Sequence, residues 1–196
     1  SGLETVGTGA TGDLPELLTG FDRLVFANGE LVSGSSDAAE LVEGSFGPTS
    51  RLGSSKHAAL HAAKSKHTLH VRSGSDLALE VIYFVSGEGL SFSGIVIEAE
   101  AGAKIRIVNR FISVDDSAAV VVSATDVRTA EGSKVTCLVT QELNRDSKLI
   151  RFSDSTLQAS SLAKLAVVHT GAKWVREETY STVGGSDAKS EILSVA

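Results

Sequence analysis

The chain has 196 residues, of which 42% are hydrophobic and 21% charged, with a net charge of −6. That is enough apolar material for one domain with its own core, and the acidic balance argues against nucleic acid or anionic lipid as a partner. No apolar run approaches the roughly 18 residues that span a membrane, and a single cysteine, Cys137, excludes an intrachain disulfide.

Residues Ser1 to Gly12 are rich in Gly, Thr and Ser and are expected to be loose. The run Gly7-Thr8-Gly9-Ala10-Thr11-Gly12 has the composition of a phosphate loop, but it lacks the lysine and the preceding strand, so it reads as a tail. No charged segment followed by an apolar one opens the chain, so no signal peptide is read and a cytoplasmic location is expected. Asp13 to Leu18 predicts a short helical turn, with Asp13 as cap and Pro15 in the first turn. Leu24-Val25-Phe26 and Leu31-Val32 flank Asn28-Gly29. Two turn residues that tolerate positive φ between apolar runs predict a β-hairpin. Ser35 to Ser55 is polar and punctuated by glycine, with a second helical turn expected over Asp37 to Val42. Ser55 then reads as the N-cap of an Ala-rich helix, KHAALHAAK, with Lys64 and Lys66 near its C-terminal end.

From Thr68 onward the apolar spacing changes to two, the period of a strand with one face in a core. Leu69 and Val71 mark one strand; Leu77, Leu79, Val81 and Tyr83 mark another. Ile95 to Phe111, IVIEAEAGAKIRIVNRF, reads as strand, turn at Ala101-Gly102-Ala103, strand. The same arrangement recurs over Val127 to Leu143, with Glu131-Gly132-Ser133-Lys134 at the turn, and over Glu177 to Val195, with Gly184-Gly185-Ser186-Asp187. Gly102 to Gly132 is one unit and Gly132 to Gly185 roughly two, so a turn without glycine is expected between them, at Asp154-Ser155-Thr156. Repeats in the range of about 20–50 residues point to a solenoid. The expected architecture is mainly β: a small mixed α/β cap over residues 1–66, with hairpin and helix covering one end, then a parallel β-helix body over 67–196. The chain has no Met and stops inside an alternating strand, so a fragment of a longer protein is expected, with an incomplete body at its C-terminal side and self-association or edge pairing there.

The order of four passages resembles the SufB/SufD family of the SUF iron–sulfur cluster assembly complex, and within it SufD more than SufB. They are RLVFANGELV followed by SDAAEL, HAALHAAKSKHTLHVRSG, IVIEAEAGAKIRIVNRFIS, and HTGAKWVREETYSTVGGSDAKSEILSV. Together they run from about Leu17 to Ala196. The resemblance implies a right-handed parallel β-helix acting as a scaffold, not an enzyme. It would pair with a SufB-like paralogue, or with a second copy of itself, and be coupled to a SufC-like ATPase through a C-terminal segment not present here. Any iron–sulfur cluster would belong to the full complex, with no cofactor intrinsic to this chain. The family's proposed cluster-assembly residues, a Cys in SufB and a His in SufD, have no match in this sequence, so none is carried over.

Taken on their own, the chemistry-bearing residues assign no catalytic, cofactor-binding or metal site. Cys137, alternating within VTCLV, could carry sulfur or ligate a cluster, but a lone cysteine in a strand is read as a small buried hydrophobe. His57 and His61 share a helix face at i, i+4, with His67 and His70 nearby, yet no carboxylate or cysteine sits at matching ligand spacing. His169 at a strand end is read as a satisfied corner residue. Glu98 and Glu100, with Asp115-Asp116, are the acidic pairs a polysaccharide-acting β-helix enzyme would need. Such an enzyme and a bare protein-binding solenoid remain the alternatives to the scaffold.

Overall fold

The computed structural model describes residues 11–44 and 55–196. The strands are β1 (Asp22–Ala27), β2 (Glu30–Ser35), β3 (Ala39–Glu43), β4 (His67–Ser73), β5 (Leu77–Val85), β6 (Gly89–Ala99), β7 (Lys104–Ser113), β8 (Ala119–Thr129), β9 (Lys134–Glu142), β10 (Lys148–Leu157), β11 (Leu162–His169), β12 (Trp174–Val183) and β13 (Lys189–Val195). One helix, α1 (Ser55–Lys64), precedes β4. From β4 onward successive strands alternate between two sheets. One has the order β13-β11-β9-β7-β5-β1-β2 and the other β12-β10-β8-β6-β4-β3. Each pair of strands, β4–β5 through β12–β13, makes one coil, and like strands stack in parallel on the next coil. The chain is a β-solenoid of about five turns.

Alternation decides which residues enter the interior. In β7 and β9 every second residue is buried, from Ile105 to Phe111 and from Val135 to Gln141. Leu79, Ile107 and Cys137 are partners in register across three coils of the first sheet, and each is at most 2% exposed. Ile95 and Ile97 face them from the second sheet within the same core. Burying a side chain of this size stabilises by about 1.5–3 kcal/mol.

The corners explain the repeat. Gly102, Gly132, Ser160 and Asp187 all have positive φ (75°, 69°, 56° and 58°), and the steps between them are 30, 28 and 27 residues. Their amides repeat one contact: Gly102 donates to the Glu131 carbonyl, Gly132 to Ala159, and Ser160 to Ser186, at 2.8–3.0 Å. The turn without glycine therefore exists, but at Ser160. Asp154-Ser155-Thr156, expected to be that turn, lies inside β10 instead. A polar triplet reads as a turn in isolation, and pairing with β8 and β12 on both sides overrides that preference.

The first coil is closed by strands. The Asn28-Gly29 hairpin forms as expected, with β1 parallel to β5 and antiparallel to β2. β3 covers the corresponding edge of the second sheet, antiparallel to β4. The helical turn expected over Asp37 to Val42 is this strand, because Leu41 finds Leu69 opposite it. The helical turn expected over Asp13 to Leu18 is absent. Its carbonyls at Pro15 and Glu16 are taken instead by the Arg23 guanidinium, at 2.9 Å each. Helix α1 forms but does not cover the end. It lies on the outer face of the second sheet, where Ala58 packs with Val122, Ala124, Ile150 and Phe152. The tail as far as Ala10 and the stretch 45–54 lie outside the described residues.

Candidate functional site

The interior changes character along its axis. In the first sheet one inward position is occupied in register by Phe26, Tyr83, Phe111, Gln141 and His169. The three aromatic rings stack at 5.2 and 5.0 Å between centroids, an arrangement that favours aromatic pairs. Beyond Phe111 the position becomes polar. In the second sheet the facing ladder is Ser93, Ser123, Arg151 and Glu177. Next to these, Asn109, Thr125 and Ser153 also point into the coils and are at most 5% exposed. At this position the interior is aromatic over the first coils and polar over the later ones, beside an apolar core that continues through Val139, Leu149 and Val167.

Arg151 is the centre of this seam. It has no exposed surface, and its Nη1 donates to Glu177 Oε2 at 2.8 Å. His169 Nε2 lies 3.8 Å from the other carboxylate oxygen of Glu177, too far for a hydrogen bond. Burial holds the His169 imidazole below its ordinary value, opposed by Glu177 and reinforced by Arg151. Gln141 Oε1 accepts the Gly171 amide at 3.1 Å. Cys137 is 2% exposed, and burial pushes its thiol up to about 12, against the opposing pull of Arg151. Its sulfur is therefore a neutral thiol at neutral pH, not an activated nucleophile. Cys137, Thr125, Ser153 and Ser155 also line a partly open pocket of about 30 Å³, together with the exposed Tyr180 and Ile192 of the last coil. Ser155, Ser181 and Ser190 form a chain of hydroxyl contacts at 2.7 Å leading from it toward the last coil.

The structure scatters the residues singled out in the sequence. His61 is 1% exposed, its Nε2 donating to the Ser93 carbonyl at 2.9 Å, and burial lowers its pKa. That contact fixes α1 to β6. His67 lies 3.8 Å from Glu30, while His70 stands on the outer face of β4 opposite Glu40. Among the described residues no three metal-ligating side chains come together. Glu98 pairs with Arg128 at 2.8 Å and Glu100 with Arg72 at 2.9 Å, at one corner of the coil. Asp115 accepts the Gly87 and Ser117 amides at the opposite corner. A ten-residue strand separates the two corners, about 30 Å, far beyond the spacing of a glycosidase pair. Arg151 and its neighbours were missed because β10 is apolar on both faces. Ile150 and Phe152 pack under α1 while Leu149 and Leu157 face the core, so the sequence does not reveal which parity points inward.

No curated protein matches the chain. Residues 82–196, the part that forms the later coils and holds the polar seam, match the family model of the SUF system FeS cluster assembly, SufBD core domain. The chain therefore belongs to the SufB/SufD core-domain family and takes part in SUF iron–sulfur cluster assembly.

Proposed function

We propose that this protein is a SufD-like scaffold subunit. It acts by assembly with a SufB-like paralogue and a SufC-like ATPase in the cytoplasm, and carries no catalytic residue or resident cofactor in these coils. The observation that carries the reading is the family match, which covers residues 82–196 and so most of the stacked coils. A solenoid built of such coils offers an extended surface suited to holding other subunits. The neutral, enclosed Cys137 thiol supports a structural part for this segment over a sulfur-carrying one.

The test is an affinity purification from the source organism, with the tagged product of the gene beside the 196-residue chain. Recovery of a SufC-like ATPase and a second β-helical subunit by the gene product supports the reading. Recovery of neither overturns it and leaves a solenoid with other partners.

A further inference from the structure

Residues 11–20 carry a helix signal that the fold overrides. Asp13 and Glu16 stand at the spacing of a capping box, Pro15 lies between them in the first turn, and Leu14, Leu17 and Leu18 recur at i, i+3 and i+4. Gly20, at φ +76°, already has the left-handed conformation that ends a helix. The segment nevertheless enters neither sheet and forms no helix. Arg23 decides this. Its Nε donates to Glu80 Oε2 at 2.7 Å, and Glu80 has no exposed surface. With the guanidinium so fixed, Nη1 and Nη2 donate to the Pro15 and Glu16 carbonyls at 2.9 Å each. A helix would need those two carbonyls for the amides of Thr19 and Gly20.

The clamp leaves the leucines facing water. Leu14 is 52% exposed, Leu17 53% and Leu18 37%. A segment whose local preference conflicts with its fold marks a functional or strained site. Three leucines at helical spacing are anchors of the kind an amphipathic helix lays in a groove. The charge defines that groove. Residues 11–22 hold Asp13, Glu16 and Asp22 and no Lys, Arg or His, so the complementary rim is basic. A second copy of this chain, with a net charge of −6, is the poorer fit. We propose that residues 13–19 are a docking segment, which leaves Arg23 and turns helical as Leu14, Leu17 and Leu18 enter an apolar, basic-rimmed groove on a different protein. So short a helix is marginal alone, and the groove supplies its stability. Such a groove is required whether or not the scaffold reading holds.

The test replaces Leu17 by the photo-crosslinking residue p-benzoylphenylalanine in the tagged gene product, expressed in the source organism. Irradiation should join it to a second protein species, at an apolar depression bordered by Lys or Arg, as mapped by mass spectrometry. No crosslink, crosslinks confined to this chain (within one copy or between two), or a surface without that chemistry would overturn the proposal. Against the purified crosslinked partner, Leu17→Ser should weaken binding about tenfold or more. Glu16→Ala and Glu16→Gly remove the same charge and differ in helix propensity, so the first should bind about fivefold tighter. Equal affinities would mean that the segment docks extended, and would refute the helical state. Recovery of the SUF subunits without the crosslink would spare the scaffold reading and remove the docking segment. A crosslink of the right chemistry to a protein outside that machinery would do the reverse.

Discussion

The Arg151–Glu177 pair makes a prediction whose size follows from unequal burial. Arg151 has a side chain 1% exposed and Glu177 one 21% exposed, with 2.8 Å between Nη1 and Oε2. Removing the carboxylate by Glu177→Ala leaves a buried cation with no counter-charge, which destabilises by about 3–5 kcal/mol. That is a large part of the 5–15 kcal/mol typical of a domain. Removing the cation by Arg151→Met leaves a carboxylate that already reaches water, so the loss should be smaller, about 1–3 kcal/mol. The double variant Arg151→Met/Glu177→Ala removes both charges and should lie within about 1–2 kcal/mol of the wild type. Urea unfolding of the four proteins, followed by far-ultraviolet circular dichroism, measures the cycle. A loss under 1 kcal/mol for Glu177→Ala, or strictly additive single losses, would refute the view that the seam holds a buried, mutually dependent pair.

Other expectations follow from the same structure. At Gly132, φ is +69° and an added Cβ would touch nothing within 4 Å, so Gly132→Ala should lose only the conformational term, about 1 kcal/mol; Ser160→Gly, at the equivalent corner, should be neutral or gain up to about 1 kcal/mol in the same unfolding assay. Phe152→Ala should cost about 3–5 kcal/mol and, because Phe152 underlies Ala58, should speed hydrogen exchange throughout α1 relative to β7. Burial lowers the folded-state pKa of His61 and His169 below the ordinary 6.5, so the unfolded chain binds more protons as pH falls. Their contribution is therefore complete above pH 6.5 and is lost below it, by up to about 1.4 kcal/mol per pH unit for each, and urea midpoints from pH 8 to 5 should show this decline, shallower in His61→Asn. With its thiol pushed from 9.0 to about 12, Cys137 should hold about a thousandfold less thiolate than an ordinary thiol; labelling by a disulfide reagent should be slow in the native protein and fast in urea.

Much of the fold was legible because a solenoid writes its period into the chain. Strands with one solvated face, such as β7 and β9, show clean alternation, and glycine marked the corners at 102 and 132. Where a side chain sits at positive φ, as at Ser160, the corner loses its signal, and the polar Asp154-Ser155-Thr156 took its place in the reading. The segments over Asp13 to Leu18 and Asp37 to Val42 were read from local capping residues, while Arg23, just past the first segment, and Leu69, distant in sequence from the second, decide their conformation. The candidate site was the least legible part. A buried arginine looks like any surface arginine in sequence. Arg151 turns inward because Leu149 and Leu157 on its face enter the core while Ile150 and Phe152 on the other face pack under α1. The histidine and carboxylate groups drew attention through closeness in sequence, but successive coils bring together residues about 28 apart, not four.

The most direct test of the scaffold account is complementation. In cells lacking the gene for this protein, the activity of an iron–sulfur-dependent dehydratase measures cluster supply. The account predicts that the wild-type gene restores that activity and that Cys137→Ala restores it equally, because the subunit holds partners and its thiol is not used. A wild-type gene that leaves the activity unchanged, or a Cys137→Ala protein that folds and fails to restore it, would contradict the account.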